Sequence, residues 1–199
     1  MSLRLGQIGV SIRVMVLMTV IIGFLYPLLI MGIGQAAFHS QANGSLIYRN
    51  GQLVGSSLIG QDFGTSPRYF WSRPSAAGNG YDPTASGASN LSLDNPVLIK
   101  EIQQRQAAIA KADGVPVSEI PADAVMASGS GLDPQISPAY AAIQVDRVAK
   151  ARNLSVAAVK GLVATYTQGR TLGFLGEPRV DVLQLNLALD AITNGRVRP

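Results

Sequence analysis

The densest run of chemically suggestive residues is Ser128-Gly129-Ser130-Gly131-Leu132-Asp133-Pro134, which leads on into Gln135-Ile136-Ser137-Pro138. Two readings stand side by side. The glycines can bare backbone N–H groups to an anion or to a partner. The same residue types also build ordinary turns, because Gly supplies positive φ while Asp and Ser bond their own backbone. Serine nucleophiles need particular flanks, and these are missing. A nucleophile elbow has Gly two residues before and after the serine. Here Met126 precedes Ser128, and Ser128 precedes Ser130. A phosphate loop needs Gly-Lys followed by Ser or Thr, and no such string occurs in the chain.

Other chemistry is narrowed by what the chain lacks. It has no cysteine and one histidine, His39. Thiolate catalysis, Cys-ligated zinc, iron–sulfur clusters and His-rich metal sites are therefore excluded, and no metal is expected. A Ser-His-Asp relay through His39 keeps one rival open: a membrane-tethered periplasmic serine hydrolase or sugar-binding enzyme using Ser128 or Ser130. The string Arg68-Tyr69-Phe70-Trp71-Ser72-Arg73-Pro74 puts two Arg around three aromatics. That composition marks binding hot spots. It also fits a strand with aromatics inward and Arg in water. Asp133, Asp146, Asp181 and Asp190 show no pairing in their spacing, and Asp94 and Asp133 lie where an acid favours a helix start. The chain carries net charge +4 without a Lys/Arg run, so nucleic acid is not an expected partner.

These residues need a scaffold, and one stretch organises it. Residues 14–33 carry no charge and are apolar on every side. At 1.5 Å per residue they reach about 30 Å, the thickness of a bilayer core. This predicts a transmembrane helix over residues 14–34 with a lipid bilayer as partner. A cleaved signal peptide competes, but its apolar core is shorter, about 7–15 residues. Arg4 and Arg13 precede the stretch, and residues 34–48 carry no Lys or Arg. The positive-inside rule then makes residues 1–13 a short cytoplasmic N-terminus and residues 35–199 a single extracytoplasmic, periplasmic domain. Lack of disulfides fits a bacterial inner membrane better than a eukaryotic surface. Pro27 should kink the helix, and Gly23 leaves a flat place for a neighbouring helix.

Along the domain, Asn50-Gly51 between short apolar runs predicts a hairpin, with a second strand running on toward Ile59. Residues 76–95 read as a long loop. Asn95-Pro96 starts a helix that runs through Val97, Leu98, Ile102 and Ile109 and ends near Asp113-Gly114. Ser137-Pro138 starts another, to about Arg152, with Ala142, Val145, Val148 and Ala149 as its apolar positions. Ser155 caps a third, to about Gln168, and residues 167–178 read as loop. Leu183, Leu185, Leu187 and Leu189 alternate with other residues and argue for a strand, although a helix is compatible too. The expected fold class is α+β, one membrane helix followed by one mixed α/β domain.

Taken together, these strings resemble a known family, the C subunit of the Kdp potassium-transporting P-type ATPase of bacteria. The resemblance runs over the whole chain: the N-terminal span, Gly60-Gln61-Asp62-Phe63, Tyr69-Phe70-Trp71-Ser72-Arg73-Pro74-Ser75, Tyr81, Ser89-Asn90 and the run from Ser128 to Pro134. It closes with Gln144, Arg147-Val148-Ala149, Gly176-Glu177-Pro178-Arg179-Val180 and Leu185-Asn186-Leu187-Ala188-Leu189-Asp190. Asp181 departs from it, since Asn is expected there. The resemblance implies a non-catalytic accessory subunit of an ATP-driven potassium uptake complex. A channel-like subunit and a P-type catalytic subunit would be its partners, and it would be needed for assembly and for raising the catalytic subunit's ATP affinity. It marks as partner-contact or family-motif residues Gln61, Phe63, Tyr69, Phe70, Arg73, Pro74, Ser75, Ser128, Gly129, Ser130, Gly131, Leu132, Asp133, Pro134 and Asn186. Gly23 and Pro27 are the helix-packing candidates. No Asp-Lys-Thr-Gly phosphorylation string is present, so this chain is not the engine. With the domain outside, cytoplasmic ATP cannot reach it. ATP and potassium are then used by the complex and not bound here as cofactors, and any effect on nucleotide affinity is allosteric.

Overall fold

A computed structural model describes residues 2–196, with side chains for residues 6–192. The chain divides into two units, Met1–Leu46 and Ile47–Pro199.

In the first unit, α1 (Ser2–Val20), a π turn (Ile21–Leu25) and α2 (Tyr26–Ala37) run on without leaving helical backbone angles. Within it, Gly6–Ala37 is apolar, unburied and long enough to cross a bilayer. Beside Pro27, where a kink is expected, the helix contains the π turn. Pro27 has no N–H, and the helix widens one turn earlier, with Tyr26 N–H bonding Ile21 O. A short helix, α3 (His39–Ala42), follows, and the Asn43 amide ties back to Gln35 and to His39 O.

Strand β1 (Leu46–Arg49) starts at the boundary and leads into the second unit, where it pairs with β2 (Gln52–Ser56) through the Asn50-Gly51 turn. Both turn residues have positive φ, 50° and 76°, as a type I′ turn demands. β2 stops at Ser56 short of the expected reach, because Ser56 and Ile59 close on each other in an isolated bridge. Residues 57–95 then form no regular element among them.

Three helices start where their caps stand. Asn95 Oδ1 accepts from Val97 N–H ahead of α4 (Pro96–Asp113), and Gly114 ends it at φ 69°. Ser137 Oγ accepts from Tyr140 N–H ahead of α5 (Pro138–Arg152). Ser155 Oγ accepts from Ala158 N–H ahead of α6 (Val156–Tyr166). Not every apolar position of these helices enters the core. Val97 and Ala142 face water, and Tyr140, Ala141 and Gln144 are buried in α5 instead.

The expected strand over residues 180–189 is also corrected. Only β5 (Arg179–Asp181) is extended, and α7 (Val182–Arg196) follows at once. Asp181 Oδ1 accepts from Gln184 N–H at 2.8 Å and turns the chain into the helix. Val182, Leu183, Leu185, Asn186 and Leu189 are buried and Leu187 is half-buried, so the inward face of the helix is wide enough to take three of the four alternating leucines. Leu favours the helical state by propensity. β5 is the centre of a three-stranded antiparallel sheet with β3 (Gln135–Ile136) and β4 (Thr167–Gln168), the latter inside a stretch expected to be loop. The elements agree with an α+β class. Phe70, Tyr140, Val148, Val159, Val180, Leu185 and Leu189 form the centre of the core.

Candidate functional site

Residues 66–75 lie at the middle of the candidate site, and they make no strand. Phe70 is fully buried, yet its backbone has no sheet to join. Side-chain amides replace the sheet. Asn186 of α7 accepts from Phe70 N–H at 2.8 Å and donates to Phe70 O at 3.0 Å. Gln144 of α5 accepts from Trp71 N–H at 2.7 Å and donates to Trp71 O at 3.3 Å. Each amide presents the donor and acceptor that a neighbouring strand would. A buried backbone must find such partners.

Two arginines complete the cradle. Arg147 Nη1 donates to the carbonyls of Pro67 and Tyr69, and its guanidinium lies 4.0 Å from the centre of the Trp71 ring. Its Nε donates to Asp113 Oδ1 at 2.6 Å, in a pair almost wholly removed from water. Burial pushes the Asp113 carboxyl up, with Arg147 opposing. Arg152 bonds Arg68 O and Asp190, and it lies over Tyr69. Asp190 also receives Tyr69 Oη–H and Arg49. Arg147 and Asp190 carry part of the resemblance, but their work here was not visible. Arg152 and Asp113 were not singled out at all. The sequence signal was that Arg147 and Arg152 stand among the apolar positions of α5.

On the other side of this segment lies the loop of residues 126–134. Arg73 Nη1 pairs with Asp133 Oδ2 at 3.0 Å and Nη2 donates to Met126 O. Ser75 Oγ donates to Gly131 O at 2.6 Å and accepts from Tyr81 N–H. Tyr81 Oη donates to Arg73 O, and burial pushes this phenol up to about 12. Gly60 N–H donates to Leu132 O, and a Cβ on Gly60 would stand 2.5 Å from Asp133 O. Gly131 has φ 68°, and a Cβ there would stand 2.6 Å from Ala77 N. Pro134 O accepts from Val182 N–H. Surface cavities of about 350, 580 and 500 Å³ share Arg73 on their walls.

The expected site residues thus fall into groups. Arg73, Ser75 and the Ser128–Pro134 run meet in one place. Phe63, Tyr69, Phe70 and Asn186 meet in another, with the Phe63 and Tyr69 rings 5.5 Å apart. Gln61 joins the hairpin, its Nε2 donating to Val54 O while its own carbonyl accepts from Ser72. Pro74 continues the chain between Arg73 and Ser75. Gly23 and Pro27 belong to the apolar helix.

The chemistry of the loop is that of a fastening. Ser130 Oγ accepts from Leu132 N–H, and Ser128 Oγ faces Ser130 Oγ at 3.5 Å. Neither hydroxyl has a base among these partners. The N–H groups of Gly131 and Leu132 are spent inside the loop, and Asp133 sets a carboxylate at its end. That arrangement suits an anion such as a nucleotide phosphate poorly. Among the described residues no group of three His, Asp or Glu comes together for a metal.

Residues 8–191 match the family model described as KdpC: K+-transporting ATPase, c chain. The chain is similar to the potassium-transporting ATPase KdpC subunit of Methylococcus capsulatus, at 53% identity over 183 residues, 92% of this chain and 96% of that one. The subunit of the same name from Beijerinckia indica is 54% identical over 177 residues, 89% of each chain. That from Burkholderia orbicola is 55% identical over 177 residues, 88% of this chain and 91% of the relative.

Proposed function

The chain belongs to the KdpC family of K+-transporting ATPase c chains, and on that footing we propose that it serves the pump as a non-catalytic, membrane-anchored subunit that docks and positions others. The observation that carries this is the extent of the match, which takes in the apolar helix and the folded unit together. The geometry supports it: the polar groups of the most distinctive loop hold Arg73, Ser75 and Gly60 in place, and no nucleophile there faces a base. The serine hydrolase or sugar-binding alternative finds no support in the comparisons.

In this reading the apolar helix crosses the bacterial inner membrane with the N-terminus in the cytoplasm and residues 35–199 as the periplasmic domain. The partners are a channel-like subunit and the P-type catalytic subunit. ATP and potassium are handled by them, and this chain raises ATP affinity through contact and not by holding nucleotide. Coupling of that kind is worth about 1–3 kcal/mol.

Solubilisation in mild detergent tests the proposal. The chain should leave the membrane with multi-span partners and stay unlabelled by a serine-directed fluorophosphonate. Ser128→Ala with Ser130→Ala should keep most of the potassium-dependent ATP hydrolysis of the complex. A chain that runs alone and is labelled at either serine would refute the proposal. So would an assembled complex in which the double substitution removes three orders of magnitude of activity.

A further inference from the structure

The π turn and Pro27 together leave two carbonyls without their usual partners: Gly23 O, whose α-helical donor would be Pro27, and Ile22 O. A π turn hands each N–H to the carbonyl five residues back, as Tyr26 N–H does to Ile21 O. In an α-helix that same N–H would serve Ile22 O. The residue five past Ile22 is Pro27, which has no N–H to give. Ile22 O is therefore left over by both helical patterns. Its depth makes this costly. Ile22 is 16 residues past Gly6 and 15 before Ala37, the ends of the apolar helix, so it sits at mid-span. Lipid tails carry no donor, and backbone groups at that depth have to be satisfied by protein.

The helix itself does not satisfy it. Thr19, one turn earlier, already donates its hydroxyl to Met15 O at 2.8 Å. Tyr26 carries the other side-chain donor of residues 14–33. On a parallel second copy it would lie about 6 Å along the axis from Ile22. The approach is open: a Cβ on Gly23 would meet only Thr19 Cγ2, at 3.8 Å. Thr19 and Gly23 thus border a notch with an acceptor beside it.

We propose that Ile22 O accepts a hydrogen bond from a Ser, Thr, Asn, Gln or Tyr side chain on a transmembrane helix of a different subunit, which packs into the notch at Gly23. This rests on the reading of the chain as a membrane-spanning pump subunit. Interhelical bonds of this kind are a recurring glue between membrane helices, and small residues permit the close approach.

Three variants and one cross-link test it in the full chain, at matched membrane levels. Pro27→Ala returns an N–H to the helix and lets Ile22 O bond internally. Gly23→Leu fills the notch. Each should lower co-purification with the other subunits at least tenfold, about 1.4 kcal/mol. Met18→Leu, well round the helix from Gly23, should change it little. Benzoylphenylalanine at position 19 should cross-link to a transmembrane segment of another subunit. Wild-type retention by both Pro27→Ala and Gly23→Leu would overturn the inference, as would a cross-link only to a second copy of this chain. If the unaltered chain co-purifies with no multi-span protein, the pump-subunit reading fails first and takes this inference with it.

Discussion

Asp181 shows how one side chain sets a stability that depends on pH. It is buried, it caps α7, and burial pushes its carboxyl above the usual range. In the unfolded chain an Asp ionises near about 3.9. As pH rises past that value the unfolded state gives up its proton first, so stability present below it is lost through the higher folded value. An amide can still accept from Gln184 N–H and carries no charge to bury. Asp181→Asn should therefore melt higher than the parent at pH 7.5, with the difference closing below about pH 3.9. Thermal unfolding of both proteins in detergent at the two pH values checks this, and a gap that widens on acidification would contradict it. At this scale the caps were legible, because Asn95, Ser137 and Ser155 bond residues two or three positions on. Arg147 and Arg152 were not, because the carbonyls they serve lie some eighty positions away in sequence.

Among elements, the Ser128–Pro134 loop separates two glycines that look alike in the sequence. Gly131 combines a positive φ with backbone packed against it, whereas a Cβ on Gly129 would meet nothing within 4 Å. Gly131→Ala should cost about 1–3 kcal/mol from overpacking, with backbone strain adding to it. Gly129→Ala should leave stability within about 0.5 kcal/mol. Urea unfolding followed by the fluorescence of Trp71, the one tryptophan, reads both. Equal losses would show that the loop is not seated as described. If Gly129→Ala folds normally but weakens assembly, Gly129 is part of the docking surface. Helices α4, α5 and α6 were legible from local cap-and-proline signals. Helix α7 was misread because its leucines fall at every second position, and only packing reveals which of them face inward. Residues 68–74 were open between binding patch and strand, and they form no strand, since side-chain amides stand in for a sheet.

For the molecule as a whole, the order of an apolar helix and then one folded unit was plain from hydropathy and cap signals. Which side of the membrane holds that unit rests on Arg4 and Arg13 alone. Asn79 is exposed, and the chain has no cysteine to interfere. Asn79→Cys should therefore be modified in intact cells by a thiol reagent that cannot cross the inner membrane. Modification only after lysis would reverse the orientation. The amide clamps on Phe70 and Trp71 also govern the order of events in the life of the chain. Their givers, Asn186 and Gln144, follow 116 and 73 residues later. Contacts so distant in sequence are slow to form. Local bonds, such as Trp71 Nε1 to Ser66 O, leave the Phe70 backbone pair open, so this part of the core stays unmade until the last helix has been synthesised. If the unit is exported as proposed, that delay suits it, because a chain still unfolded can pass a translocation pore and close once its final turns are through.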